Sequence, residues 1–139
     1  MSKRVLTDTS YFKFYNANPK NHFGDDCVIR AIATALEQSW ETTLRDLTEV
    51  GLKYGYVPSD KACYEKYLAK KGWVKRRQPR KYDNTKYTGR EFCEQLAMKD
   101  VRYIAHLGGH HIVAIVNNQI NDIWYSFNGC IGNYWVKSK

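Results

Sequence analysis

Gly24-Asp25-Asp26-Cys27-Val28-Ile29-Arg30-Ala31-Ile32-Ala33-Thr34-Ala35-Leu36 is the stretch that decides how this chain reads. A glycine and two acids close a polar segment, and Cys27 opens an apolar run. Within it Val28, Ala31, Ile32, Ala35 and Leu36 recur at i, i+3, i+4, i+7 and i+8. That spacing predicts a helix with one face turned to a core. Asp25 or Asp26 is placed to cap its free N–H groups, which leaves Cys27 in the first turn. A thiol there feels the positive end of the helix dipole, which favours thiolate. Unpaired backbone N–H groups beside it are suited to hold a developing oxyanion. The plain alternative is a buried cysteine that merely opens a core helix.

Far downstream, Gly108-Gly109-His110-His111 leads into Ile112-Val113-Ala114-Ile115-Val116, apolar enough for a core strand. Asn117-Asn118 is a favoured two-residue turn, and Gln119-Ile120-Asn121-Asp122-Ile123-Trp124 returns as the partner strand. In that register Val116 faces Gln119, Val113 faces Asp122 and His111 faces Trp124. His111 and Asp122 then share a face of the hairpin, one diagonal step apart. A carboxylate so placed orients an imidazole through one ring N–H and leaves the other nitrogen free to take a proton from a thiol. His110 alternates to the opposite face and is the alternate to His111.

The segments between are read from their punctuation. Tyr11-Phe12-Lys13-Phe14-Tyr15 is a short strand or an aromatic arm, and Asn16 to Asn21 is a turn-rich loop. Ser39 is expected to cap a second helix carrying Trp40, Leu44 and Leu47 that fades near Gly51. Ser59 is expected to cap a third, with Tyr64, Tyr67 and Leu68 on one face and Gly72 as its stop. Thr88-Gly89-Arg90-Glu91 has the capping-box pattern and opens a helix bearing Phe92, Cys93 and Leu96. Strands are expected at 73–75, 101–107, 111–116, 119–127 and 134–136. Helices first and antiparallel strands last make an α+β layout.

At 139 residues, 43% hydrophobic and 14% aromatic, the chain reads as one folded domain over 1–139, with an N-terminal arm at 1–20 and a basic loop at 70–87. No apolar run approaches the roughly 20 residues a membrane span needs, and Met1 to Asp8 lacks the apolar core of a signal peptide. The expectation is a cytoplasmic protein with no membrane partner. Cys27, Cys63, Cys93 and Cys130 are scattered with no Cys-x-x-Cys pair, so the spacing offers no zinc site and predicts free thiols. The net charge of +8 comes from 22 basic and 14 acidic residues. Much of the excess lies in the run from Lys70 to Lys81, which contains Trp73. Such a run is a solvated surface loop, or a contact for nucleic acid or an acidic partner.

Cys27 on a helix, with a His and then an Asp or Asn on later strands, resembles the papain-like cysteine peptidase superfamily. Gly24 to Ile32 is similar to the "GDCVxRA" opening of small phage and bacterial proteins assigned to it. Tyr103-Ile104-Ala105, Gly109 to Ile115, Ile120 to Trp124 and Gly132-Asn133-Tyr134-Trp135 resemble the second half of those proteins. The likeness spans most of 21–136 and is thin between 55 and 85. It implies a papain-like α+β fold, with Cys27 as nucleophile, His111 as base and Asp122 as orienting acid. It also implies an amide upstream of the cysteine as oxyanion donor, and Asn21, six residues before Cys27, stands where those enzymes usually carry glutamine. Asn128 competes with Asp122 as third member, and Asp26 is an extra acid directly before the thiol. A phage-encoded relative would act in the host cytoplasm.

The leading expectation is a cysteine peptidase that cleaves a peptide or isopeptide bond in a peptide or protein substrate, with no cofactor. One rival is a silent papain-like fold used as a protein-binding module, such as a host-factor inhibitor, because a charge at Asp26 opposes thiolate formation. The other is a nucleic-acid-binding protein that uses residues 70–81 with Trp73 and nearby tyrosines.

Overall fold

A computed structural model describes residues 5–137. Met1 to Arg4, on which half of the leader-peptide reading rested, lie outside them. In chain order the elements are β1 (Phe12–Phe14), α1 (Cys27–Leu36), α2 (Trp40–Tyr54), α3 (Lys61–Lys70), β2 (Trp73–Arg76) and α4 (Gly89–Glu91). A wider π-type turn over Phe92–Leu96 follows, and then β3 (Tyr103–Leu107), β4 (His111–Val116), β5 (Gln119–Asp122) and β6 (Ile131–Lys137). The protein is α+β. Its six strands form one sheet in the order β1-β5-β4-β3-β6-β2, and every pairing is antiparallel except β1 with β5.

The sheet separates two apolar layers. On one face α1, α2 and α3 bury Val28, Ile32, Leu47, Tyr64 and Leu68 against Ile104, Ile112, Ala114 and Trp135. On the other, Phe92 and Cys93 pack with Phe12, Val113, Ile115, Ile120 and Ile131. β4 supplies both layers alternately, and so it reads as an unbroken apolar run rather than as an alternating one. β1 closes one edge of the sheet. Its outer groups are blunted locally, because Asp8 Oδ1 accepts from the Phe14 N–H at 2.7 Å and the Phe12 carbonyl accepts from Thr9.

The β4–β5 register is the one the Asn117-Asn118 turn demands: Val116 pairs with Gln119, Ile115 with Ile120 and Ala114 with Asn121. Both asparagines hold positive φ, 56° and 62°, as a primed hairpin turn requires. The returning strand stops at Asp122 instead of running to 127. The Ile123 N–H turns back to Asp122 Oδ1 at 2.8 Å and Ser126 Oγ donates to Oδ2, so the chain bends away before His111 can pair with Trp124. β3 starts at Tyr103 rather than at 101, and β6 is longer than expected.

The helix starts depart from the sequence reading at two points. Asp26 occupies the N-cap of α1, yet its side chain makes no cap bond because it is taken up elsewhere. Ser39 does cap α2, but α3 begins after Asp60 rather than Ser59. Asp60 Oδ2 holds the Val57 N–H across that turn. The capping box at Thr88 and Glu91 closes as read, and Phe92 and Cys93 are buried, while Leu96 is exposed.

Gly51 does not fade α2. The helix continues to Tyr54, and Gly51 lets the chain fold back at its end, where a Cβ would stand 2.2 Å from the Tyr56 carbonyl oxygen. The Tyr56 N–H bonds the Gly51 carbonyl across the same contact. Gly51→Ala gains helix propensity but must push the backbone apart, so it is expected to lose about 1–3 kcal/mol in urea unfolding.

The basic run is only partly a loop. Lys70 ends α3, and 73–76 form the edge strand β2 on β6. Trp73 is buried in the helical layer, Lys75 pairs with Glu65 at 2.6 Å and Lys81 with Glu91 at 2.6 Å. Charges on an edge strand are a familiar guard against unwanted strand pairing.

Candidate active site

Three elements converge at one end of the sheet. α1 lies across β4 and presents Cys27 at its first residue, β4 begins with His111, and β5 ends with Asp122. The hairpin register brings the last two together: His111 Nε2 lies 2.6 Å from Asp122 Oδ2. With Nε2 engaged, Nδ1 is the nitrogen left for the thiol, and Cys27 and His111 line the same cleft and interact. The sequence-read trio of Cys27, His111 and Asp122 is therefore one contiguous row.

Asp122 is fully buried and saturated with donors. Oδ2 takes His111 and the Ser126 hydroxyl, while Oδ1 takes the Ile123 N–H and, at 3.0 Å, Arg30 Nη1. Arg30, 6% exposed, also sends Nε to Asp26 Oδ1 at 2.8 Å. Asp26 Oδ2 accepts from Trp40 Nε1 at 2.9 Å and from the Asn18 amide at 3.1 Å. Along this line acidic and basic side chains alternate: Asp26, Arg30, Asp122, His111 and Cys27.

The ionisation of each member follows from these contacts. Burial alone would push the Cys27 thiol up. The His111 hydrogen bond, the Ile112 N–H and the charges of His111 and Arg30 outweigh it and hold the thiol below its ordinary value. Burial would lower His111, but Asp122 and Cys27 raise it to about 9. Burial would likewise raise Asp122 and Asp26. Asp122 is held low by His111, Ser126 and the Ile123 N–H, and Asp26 by Arg30, Asn18 and Trp40. Two other cysteines differ. Cys63 is raised by burial and by Asp60, and burial takes Cys93 up to about 12.

Cys27 and His111 open into a cleft of about 300 Å³ walled by Phe23, Asp25, Ile123 and Trp124. Trp124 is half exposed and leans on the imidazole, ring centres 5.0 Å apart. A larger cleft of about 610 Å³ lies between α2 and α3, but its walls carry lysines, Tyr54 and Tyr67 with no thiol or imidazole. The thiol and the imidazole line the smaller one.

The remaining sequence candidates fall elsewhere. Asn21 is exposed and is not part of the cleft wall. Its loop is wound by Asn16 Oδ1 on the Asn18 N–H and Asn18 Oδ1 on the Lys20 N–H, and Asn21 sits at φ 52° after that turn. The amide that does turn inward is Asn18, onto Asp26. His110 is exposed in the β3–β4 turn, and Asn128 is exposed in the loop before β6. Among the described residues the carboxylate on His111 is that of Asp122, and no cluster of three or more His, Cys, Asp or Glu is arranged to hold a metal ion.

Sequence reasoning missed Arg30, Ser126 and Trp124. Arg30 had a visible signal, a basic residue inside an apolar run, four positions after Asp26. Ser126 had none, since its contact depends on a bend that ends β5 early. Comparison of the chain with protein-family models, curated proteins and solved structures finds no match. Among the described residues no helix is long and apolar enough to cross a membrane.

Proposed function

We propose that this protein is a small papain-like thiol hydrolase that cleaves a peptide or isopeptide bond. The observation that carries the reading is the row Cys27–His111–Asp122, with the thiol at a helix start and the imidazole clamped by a buried carboxylate. Cys27 thiolate attacks the carbonyl carbon, and the displaced electron pair on oxygen is held by the Cys27 backbone N–H. The C–N bond breaks as the His111 imidazolium gives its proton to the leaving amine. Neutral His111 then takes a proton from water, whose oxygen attacks the thioester, and the acid departs as Cys27 thiolate re-forms. Asp122 keeps the ring aimed and stabilises its charged form.

The aromatic walls, Phe23 and Trp124, give the cleft an apolar flank for the side chain beside the scissile bond. Asp26 opposes the thiolate less than its place in the sequence suggests, because its charge is shared with Arg30, Trp40 and Asn18. A catalytically silent binding module draws support from Asn21, which lies away from the cleft and leaves no side-chain amide from that position as oxyanion donor. A nucleic-acid reading loses Trp73, which is buried, and keeps the exposed Tyr82 beside the basic run.

The test is iodoacetamide alkylation across pH with peptide mapping of all four cysteines. Cys27 is expected to alkylate below the ordinary thiol range while Cys63 and Cys93 stay unreactive. Hydrolysis should follow a bell. On the acid side Cys27 is protonated and activity is lost. On the alkaline side His111 loses its proton as pH passes through about 9, and the leaving amine goes unprotonated. Alkylation itself should not fall there, because the thiolate persists. A Cys27 that titrates like a free thiol near 8.5 would sink the hydrolase reading.

A further inference from the structure

We propose that Arg30 and Asp26 are a positioning and charge-balancing couple for the catalytic row, with Arg30 fixing the Asp122 oxygen that His111 does not take and Asp26 setting how much of the guanidinium charge reaches it. The inference rests on the reading of Cys27 and His111 as nucleophile and base, and it assigns a use to an acid that the sequence sets directly beside the thiol.

The geometry is specific. Arg30 spans from its own helix to the end of β5, with Nε on Asp26 and Nη1 on Asp122, so one planar guanidinium holds both carboxylates. Asp122 cannot rotate, because each of its oxygens accepts two donors. Asp26, although next to Cys27 in sequence, has both oxygens bonded to Arg30, Trp40 and Asn18. Side chains of Arg30, Asp26 and Asp122 are 7%, 10% and 0% exposed, so their charges act through a medium that screens them poorly. Buried ion pairs add little to stability over apolar residues of similar size. A function in tuning the adjacent row accounts for keeping this one.

The direction of the effect follows from the order of charges. With Asp26 neutralised, the whole guanidinium charge acts on Asp122, which then holds the imidazolium proton less firmly. The nearby thiolate is favoured as well, since Arg30 already acts on Cys27 through its charge. With Arg30 neutralised, two bare carboxylates face the row, so the imidazolium is held harder and the thiolate is disfavoured. Other groups lie near the row: His106 from β3 interacts with His111 and itself feels Lys61 from α3 and His110 from the turn, Tyr64 from α3 interacts with Cys27, and Asp25 lines the cleft wall. None is altered in the variants that decide the matter, so their contribution cancels in the comparison.

The experiment compares wild type, Asp26→Asn, Arg30→Met and the double variant, reading the His111 ring titration by NMR and the pH midpoint of Cys27 alkylation by iodoacetamide. Asp26→Asn should move both midpoints down, and Arg30→Met should move both up. Each amounts to about threefold or more in the ratio of charged to neutral form at fixed pH. The double variant should return towards wild type, where damage to packing alone would accumulate. Should Arg30→Met fail to fold, Asp26→Asn still decides. Midpoints that it leaves unmoved overturn the inference while the nucleophile reading stands. An ordinary Cys27 midpoint in wild type overturns the nucleophile reading instead, and the His111 titration then still reports whether the couple acts on the ring.

Discussion

Replacing His111 with alanine is expected to slow hydrolysis by about 10²–10⁴-fold and to return the Cys27 alkylation profile towards that of a free thiol. Two of the contacts that hold the thiol low belong to the imidazole, its hydrogen bond and its charge. What remains, the Ile112 N–H and the more distant Arg30, works against the burial of the thiol. The variant also loses the acid that protonates the leaving amine, so hydrolysis should suffer more than alkylation, which needs only the thiolate. Acylation by p-nitrophenyl acetate separates the two, because its leaving group needs no proton. The amide reaction should fall further than the ester reaction. The fold should survive, since Asp122 keeps Arg30, Ser126 and the Ile123 N–H. If His111→Ala leaves the Cys27 profile unchanged, the imidazole is not the base.

The largest loss of stability is expected at Arg30→Ala, about 3–5 kcal/mol, because two buried carboxylates are left facing one another with no cation between them. Thermal unfolding should drop by about 10 °C or more for a domain of this size. The pH dependence identifies the cause. In the wild type both carboxyls are held below their ordinary range, so their contribution is present above about pH 4 and is lost as pH falls through the lowered values. In the variant those carboxyls gain by being protonated, so the gap between the two proteins should narrow as the solution is acidified. His111, raised to about 9, acts oppositely: its contribution is complete below about 6.5 and is lost as pH climbs through 9. A gap that stays constant from pH 7 to pH 4 would assign the loss to missing side-chain volume instead.

Much of this site was legible in the primary structure because its geometry is local. A helix that starts at Cys27 follows from five apolar positions at helical spacing, and the packing face they predict is the one that forms, with Val28, Ala31, Ile32 and Ala35 buried. The meeting of His111 with Asp122 follows from a two-residue turn, which sets every pair beyond it. The same reasoning overran at β5, where periodicity suggested a strand to 127. A carboxylate that captures its own following N–H ended the strand after Asp122, and no period or propensity records such a competition. Asn21 came from the family resemblance, by its place six residues before the thiol, and it lies exposed and outside the cleft wall in a loop wound by its own asparagine side chains.

By itself the sequence determined the α+β order of elements, the helix that begins at Cys27, the turn register and the choice of His111 over His110. Each rests on a pattern local to one segment or on pairing across one tight turn. Only the tertiary structure decided that β1 joins the sheet beside β5 in parallel, that Trp73 is core rather than contact surface, and that Arg30 lies between Asp26 and Asp122. Those contacts join residues up to 108 positions apart, as between Phe12 and Ile120, where chain-local patterns carry no information. The charge next to the thiol shows the difference most clearly. In sequence Asp26 is a neighbour that opposes the thiolate. In the fold a buried guanidinium 92 residues from Asp122 joins the two acids and turns that charge away from Cys27.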